Sequence, residues 1–380
     1  MIIPTLRRAL LGLALAALAG GAHADLVIGV TVSLTGPGAS LGVHYRNTFQ
    51  MLPKTLGGQP VKVIVLDDAS DPGLAVKNAN KLITEDNVDV VMGSSSVPNN
   101  LAIAQVAAEM KVAQIALAPM SLPPDKGAWS FVVPQSIPLM VEGVVKHMQA
   151  QGAKTVGYIG FADSWGEGIE KAFVSLATPL GIKLVASERY NRTDASVEAQ
   201  VIKILAARPD AVLIGGSGTP GATPALSLAN RGYKGPLYGN HGMVNPDFIR
   251  VGGKSVEGLI APTGPLVVVE QLPDSSPVKA VASGFVKAYD AAYGAQNRNA
   301  FAGYAYDAYL LVEKALPEAL KSAKPGTPAF RSALRDALEK VREVVGTHGV
   351  YSMSATNHNG IDERARVMVK VENGAWKLAP

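Results

Sequence analysis

From residue 26 onward, short apolar runs alternate with longer segments of helical periodicity, and no other feature limits the fold as strongly. The runs 26–32, 61–66, 88–92 and 112–117 are dense in Val, Ile and Leu, the pattern of strands covered on both faces. Helical spacing fills the intervals 41–56, 73–85 and 98–109. Strands joined by crossover helices form right-handed units and a parallel sheet with helices on both sides. The predicted class is therefore α/β, doubly wound, with any ligand beyond the carboxyl ends of the strands.

The same rhythm starts again after 131–134. Helices are expected at 137–149, 164–178, 196–206 and 220–231, and strands at 155–161, 183–188, 210–214, 237–238 and 257–261. Two successive units imply two lobes, which 380 residues readily supply. Helical segments at 277–293, 300–321 and 327–341 follow, then a hairpin-like pair at 350–353 and 366–371. Pro and Gly break the pattern at 134–138, 262–265 and 346–349, so the chain should cross between lobes three times through a hinge.

The first residues belong to neither lobe. Arg7 and Arg8 precede an apolar stretch at 9–21, and Ala22-His23-Ala24 has the small-x-small form of a cleavage site, so residues 1–24 read as a secretory signal peptide. The mature chain should begin at Asp25 and work in the periplasm. It has no cysteine, hence neither a lipid on cysteine nor a disulfide. The formal charge of +4 includes Arg7 and Arg8 and is not gathered into a basic run, which argues against nucleic acid as a partner. No later stretch of about 18 residues is apolar enough to insert into a membrane.

One strand end has the composition of an anion site. Val90-Val91-Met92 stops at Gly93, passes Ser94, Ser95 and Ser96, and enters a helix. Free N–H groups and the positive end of the helix dipole suit a carboxylate or phosphate there. Alternatively Ser96 only caps the helix and the other serines only make the turn. Enzyme signatures fit poorly. Gly216-Ser217-Gly218-Thr219-Pro220-Gly221 has dinucleotide spacing, but Pro220 sits in the turn and no acid follows on the next strand. Gly253-Lys254-Ser255 lacks the earlier glycine of a phosphate loop, and Ser217 lacks the second glycine of a nucleophile elbow. The histidines show no metal-ligand spacing. Neither catalysis, nor a metal, nor a cofactor is expected.

An ordered set of motifs carries a resemblance. After the export signal come Ile28-Gly29-Val30-Thr31-Val32-Ser33-Leu34-Thr35-Gly36-Pro37, Asp67-Asp68-Ala69-Ser70-Asp71-Pro72, Ala79-Asn80-Lys81-Leu82-Ile83 and Gly93-Ser94-Ser95-Ser96. Asp163-Ser164-Trp165-Gly166-Glu167-Gly168 and Tyr306-Asp307-Ala308 complete it. Together they resemble the periplasmic leucine/isoleucine/valine-binding proteins, substrate-binding subunits of ABC importers. The resemblance implies a type I periplasmic binding fold: two doubly wound lobes, 25–136 plus 264–345 and 137–263 plus 346–380, on a three-strand hinge. It also implies a monomer that delivers one ligand to an inner-membrane permease.

By position, the resemblance puts the ligand carboxylate on Ser94, Ser95 and Ser96, with Ser121 as a second hydroxyl beside Pro119 and Met120. Leu41, Trp165, Phe301 and Ser217 fall at wall positions. His241 stands where relatives that bind α-amino acids supply an acid to the ligand ammonium. A buried ammonium without a carboxylate is costly, so an aromatic acid such as a benzoate or hydroxybenzoate is the expected ligand. Branched-chain or other amino-acid transport is the alternative, and a ligand-sensing accessory of a membrane kinase is a second.

Overall fold

The computed structural model describes residues 25–379, so the expected signal peptide at 1–24 lies outside the described residues. Two sheets form the framework. The first has the order β2-β3-β1-β4-β5-β6, with β1 Leu26–Val32, β2 Thr55–Leu56, β3 Gln59–Asp67, β4 Val90–Met92, β5 Ala113–Ala116 and β6 Ser130–Val132. All its pairings are parallel except that of β2 with β3. The second is β15-β14-β11-β10-β9-β7-β8, built from β7 Thr155–Phe161, β8 Lys183–Tyr190, β9 Ala211–Gly215, β10 Leu237–Tyr238, β11 Ile260–Thr263, β14 Val367–Glu372 and β15 Ala375–Leu378. Its last two strands close one edge antiparallel. The architecture is thus two doubly wound α/β lobes, each sheet flanked by helices.

Burial follows the apolar runs. Leu26, Ile28, Val30 and Val32 of β1 are fully buried, as are Val90, Val91 and Met92 of β4. Some expectations change. The first helix ends at Met51 rather than 56, because Pro53 stops it and Gly57 and Gly58, both at positive φ, turn Thr55–Leu56 back onto Gln59 and Pro60. The segments 350–353 and 366–371 do not pair with each other. Val350–Tyr351 (β13) joins Val344–Val345 (β12), whereas β14 joins β11 and β15. Their apolar side chains belong to different cores, Tyr351 and Met353 to the first lobe and Val369 and Val371 to the second.

The three crossings lie side by side. Gln135, on the first, donates to Ala365 O (2.7 Å) and accepts from Tyr304 Oη (2.6 Å), tying the first crossing to the last. The last crossing runs near Ala365, later than 346–349. Residues 346–360 lie on the first lobe, where His358 stacks on Phe131 at 4.2 Å and Asn359 donates to Val132 O and Pro134 O.

Candidate functional site

The serine turn follows β4 and is held from below. Gly93 has φ +135°, and a Cβ there would come within 2.0 Å of Thr31 O. Only glycine fits. The Ser94 hydroxyl donates to the carboxylate of Asp68, which is fully buried and also accepts from Ser33 Oγ (2.8 Å) and Ser70 N (3.0 Å). Asn100 Nδ2 bonds Ser94 O (2.8 Å) and Ser96 O (2.7 Å). Ser95 Oγ accepts from Ser33 N at 3.1 Å, and Ser96 Oγ caps the helix Val97–Met110 by accepting from Asn99 N at 3.4 Å. A hydroxyl that accepts from backbone keeps its own proton to donate. Capping and anion binding are therefore compatible roles here.

This turn opens into a narrow cavity between the lobes. From the first lobe come Leu41, Tyr45, Ser95, Ser96, Pro119, Phe301 and Tyr304; from the second come Trp165, Arg192, Ser217 and His241. Tyr45 donates to Leu117 O (2.6 Å) and meets Phe301 edge-on at 5.8 Å, so the apolar wall is fixed. Asp163 caps the helix Ser164–Ala177 by accepting from Trp165 N (2.9 Å) and Gly166 N (3.3 Å), which sets Trp165 at the cavity, and Trp165 Nε1 donates to Gly216 O (3.1 Å). Arg192 sits two residues beyond β8. Its Nε donates to Asp163 Oδ2 (2.7 Å), its Nη1 to Ser217 Oγ (3.1 Å), and its guanidinium lies 4.2 Å over the Phe161 ring. Across the cleft, Thr219 N donates to Ser40 Oγ at 3.3 Å.

His241 is buried with its ring edge-on to Trp165 at 5.1 Å. Burial, and secondarily the charge His348 would carry, bring its pKa down to about 3, so the ring is neutral near pH 7. Among the described residues no Asp or Glu lines the cavity, and its one charged lining residue is Arg192.

Of the residues singled out from the sequence, the structure brings Leu41, Ser95, Ser96, Pro119, Trp165, Ser217, His241 and Phe301 to this cavity. Ser94 lies behind it, turned to Asp68. Met120 and Ser121 do not reach it. The chain leaves the cavity after Pro119, and both line a separate groove of the first lobe with Leu122, Ser130, Arg335 and His358, where Ser121 is exposed. Tyr45, Tyr304 and Arg192 were not expected.

Three buried histidines predict an acid-labile fold. Desolvation lowers His44 to about 4 and His348 to about 4, alongside His241 at about 3. The unfolded chain protonates near pH 6.5, well above these values, so it binds more protons and stability falls as pH drops through 6.5 toward 4. Each ring contributes up to about 1.4 kcal/mol per pH unit. Asp307 acts in the opposite sense, since burial raises its carboxyl from 3.8 to about 6, so its contribution to stability rises as pH falls from about 6 toward 3.8. Urea denaturation at pH 7 and pH 5 should show a net loss at pH 5, smaller when His44 is replaced by Phe; an equal or greater stability at pH 5 contradicts this.

Comparison with known proteins agrees with the fold. A family model described as periplasmic binding protein matches residues 25–375. An extracellular ligand-binding receptor from Rhodopseudomonas palustris HaA2 superposes with a TM-score of 0.92 at 42% identity, covering 94% of this chain and 100% of that one. A Leu/Ile/Val-binding protein homolog from Brucella melitensis is 26% identical over 256 residues, 64% of this chain and 68% of the relative. A solute-binding protein of an ABC transporter from R. palustris, solved in complex with benzoate, shares the fold at a TM-score of 0.78 and 19% identity, covering 93% of this chain and 95% of that one. Among the described residues no helix is long and apolar enough to cross a membrane.

Proposed function

The chain belongs to the periplasmic binding protein family, with the type I fold, and from that premise we propose that it captures a small aromatic carboxylate between its lobes for an ABC permease. The observation that carries this reading is the charge of the lining among the described residues: one guanidinium, serine hydroxyls, aromatic walls and no carboxylate. The acid lies against Ser95, Ser96 and the amino end of the helix that Ser96 caps, with Arg192 closing from the second lobe. Trp165, Phe301, Tyr45 and Leu41 bury the ring. Closure follows from the ligand's preference for the form in which both lobes touch it, and the closed form is what a permease in the membrane recognises. No bond is made or broken. The setting is the periplasm, reached by a signal peptide at 1–24.

The names of the curated relatives favour a second reading, branched-chain amino-acid capture. An ammonium in this cavity would face the Arg192 guanidinium, while the carboxylate nearest that guanidinium, Asp163, is already paired with it and does not line the cavity, which weighs against that reading. A thermal-shift panel of benzoates, hydroxycinnamates, aliphatic acids and amino acids separates the two. Aromatic acids should raise Tm by several degrees at saturating concentration, and small-angle scattering should report a smaller radius of gyration with the best of them. A shift with leucine or valine and none with aromatic acids sinks the proposal.

A further inference from the structure

The carboxylate accounts for the serines and Arg192 but not for His241. Both of its ring nitrogens are buried and neither has a hydrogen-bond partner among the described residues. Buried polar atoms in folded proteins are rarely left so. On the wall of a ligand cavity, the missing partner points to the ligand.

The ring is held in place. His241 opens a short helical turn, His241–Met243, whose preceding residue Asn240 donates to Ile214 O (3.0 Å) and Gly216 O (2.8 Å) and accepts from Gly242 N (2.8 Å). Trp165, itself fixed through Gly216 O, packs against the imidazole. Because burial keeps the ring neutral, it presents one N–H and one lone-pair nitrogen, so it calls for an acceptor and a donor. A carboxylate offers only acceptors and an ammonium only donors. A hydroxyl offers both and can serve whichever nitrogen it meets, in either tautomer, while a trapped water can meet the other.

Resting on the carboxylate reading above, we infer that the ligand carries a hydroxyl group in addition to its carboxylate and that His241 reads it. The ligand class is then the hydroxylated aromatic acids, and His241 is the residue that sets them apart from their unsubstituted analogues. A site built to bond a hydroxyl rejects the analogue lacking it, because its own polar atoms are then stranded.

Isothermal titration tests this with benzoate and cinnamate, each unsubstituted, ring-methylated and ring-hydroxylated at the 2, 3 and 4 positions. Wild type should bind at least one hydroxylated acid about tenfold or more tighter than both its unsubstituted and its methylated counterparts. His241→Phe should lose that preference while still binding the unsubstituted acid, and His241→Asn, which keeps a donor and an acceptor, should retain part of it. Circular dichroism reports folding, and should His241→Phe not fold, the reduced preference of His241→Asn decides. Equal binding of hydroxylated and methylated acids by wild type, or a preference that survives in the folded variants, overturns the inference alone. If no acid of either series binds wild type, the carboxylate reading fails and takes the inference with it.

Discussion

Arg192→Gln should weaken binding of the best-stabilising acid by about a hundredfold or more, while the free protein loses little stability. Among the described residues the guanidinium is the one charged group lining the cavity, so its loss leaves a desolvated carboxylate with serine hydroxyls and a helix amino end but no opposite charge. Asp163, its ion-pair partner, keeps the N–H groups of Trp165 and Gly166 and so stays anchored. Arg192→Lys should recover only part of the affinity, because an ammonium cannot hold Asp163 and Ser217 in the planar fork that Arg192 uses. Titration of both variants, with melting curves of the free proteins, decides the matter. Unchanged affinity in Arg192→Gln would remove Arg192 from the site and return the acid to the serines.

Gly93→Ala should cost about 3 kcal/mol of stability or more and abolish acid binding together with it. The added Cβ would meet the backbone carbonyl of Thr31 at 2.0 Å, and at φ +135° a side chain is strained whatever the space. Thr31 lies in β1, at the centre of the first sheet, and cannot yield. The turn must shift instead, carrying Ser95 and Ser96 with it. Gly181→Ala is the comparison: its φ is +74° but nothing lies within 4 Å, so about 1 kcal/mol is expected and binding should persist. Denaturant midpoints and titrations of both variants test this, and equal losses would refute the steric argument.

The framework was legible because it rests on local signals. The Val- and Ile-rich runs of β1, β4, β7 and β9 leave no alternative to buried parallel strands, and Gly93 with its serines marks the strand end. What local signals do not reveal depends on contacts between distant segments. Arg192 looks like any loop arginine until the fold brings Asp163, 29 residues earlier in the chain, against it; its position just beyond β8 was the available signal. Tyr45 and Tyr304 sit on helices among apolar residues, and nothing local distinguishes a ring that faces a cavity from one that faces a core. Ser121 failed for the converse reason, since position relative to a motif cannot reveal that the chain departs after Pro119.

Thr219 and Ser40 join protein to protein across the cleft, and neither lines the cavity. Their bond adds the same free energy to the shut form whichever molecule is inside, so it multiplies every affinity by one common factor. Strength of capture and choice of cargo are thereby assigned to different residues. Substitutions at the rim can retune how tightly a ligand is held without altering which ligand is preferred.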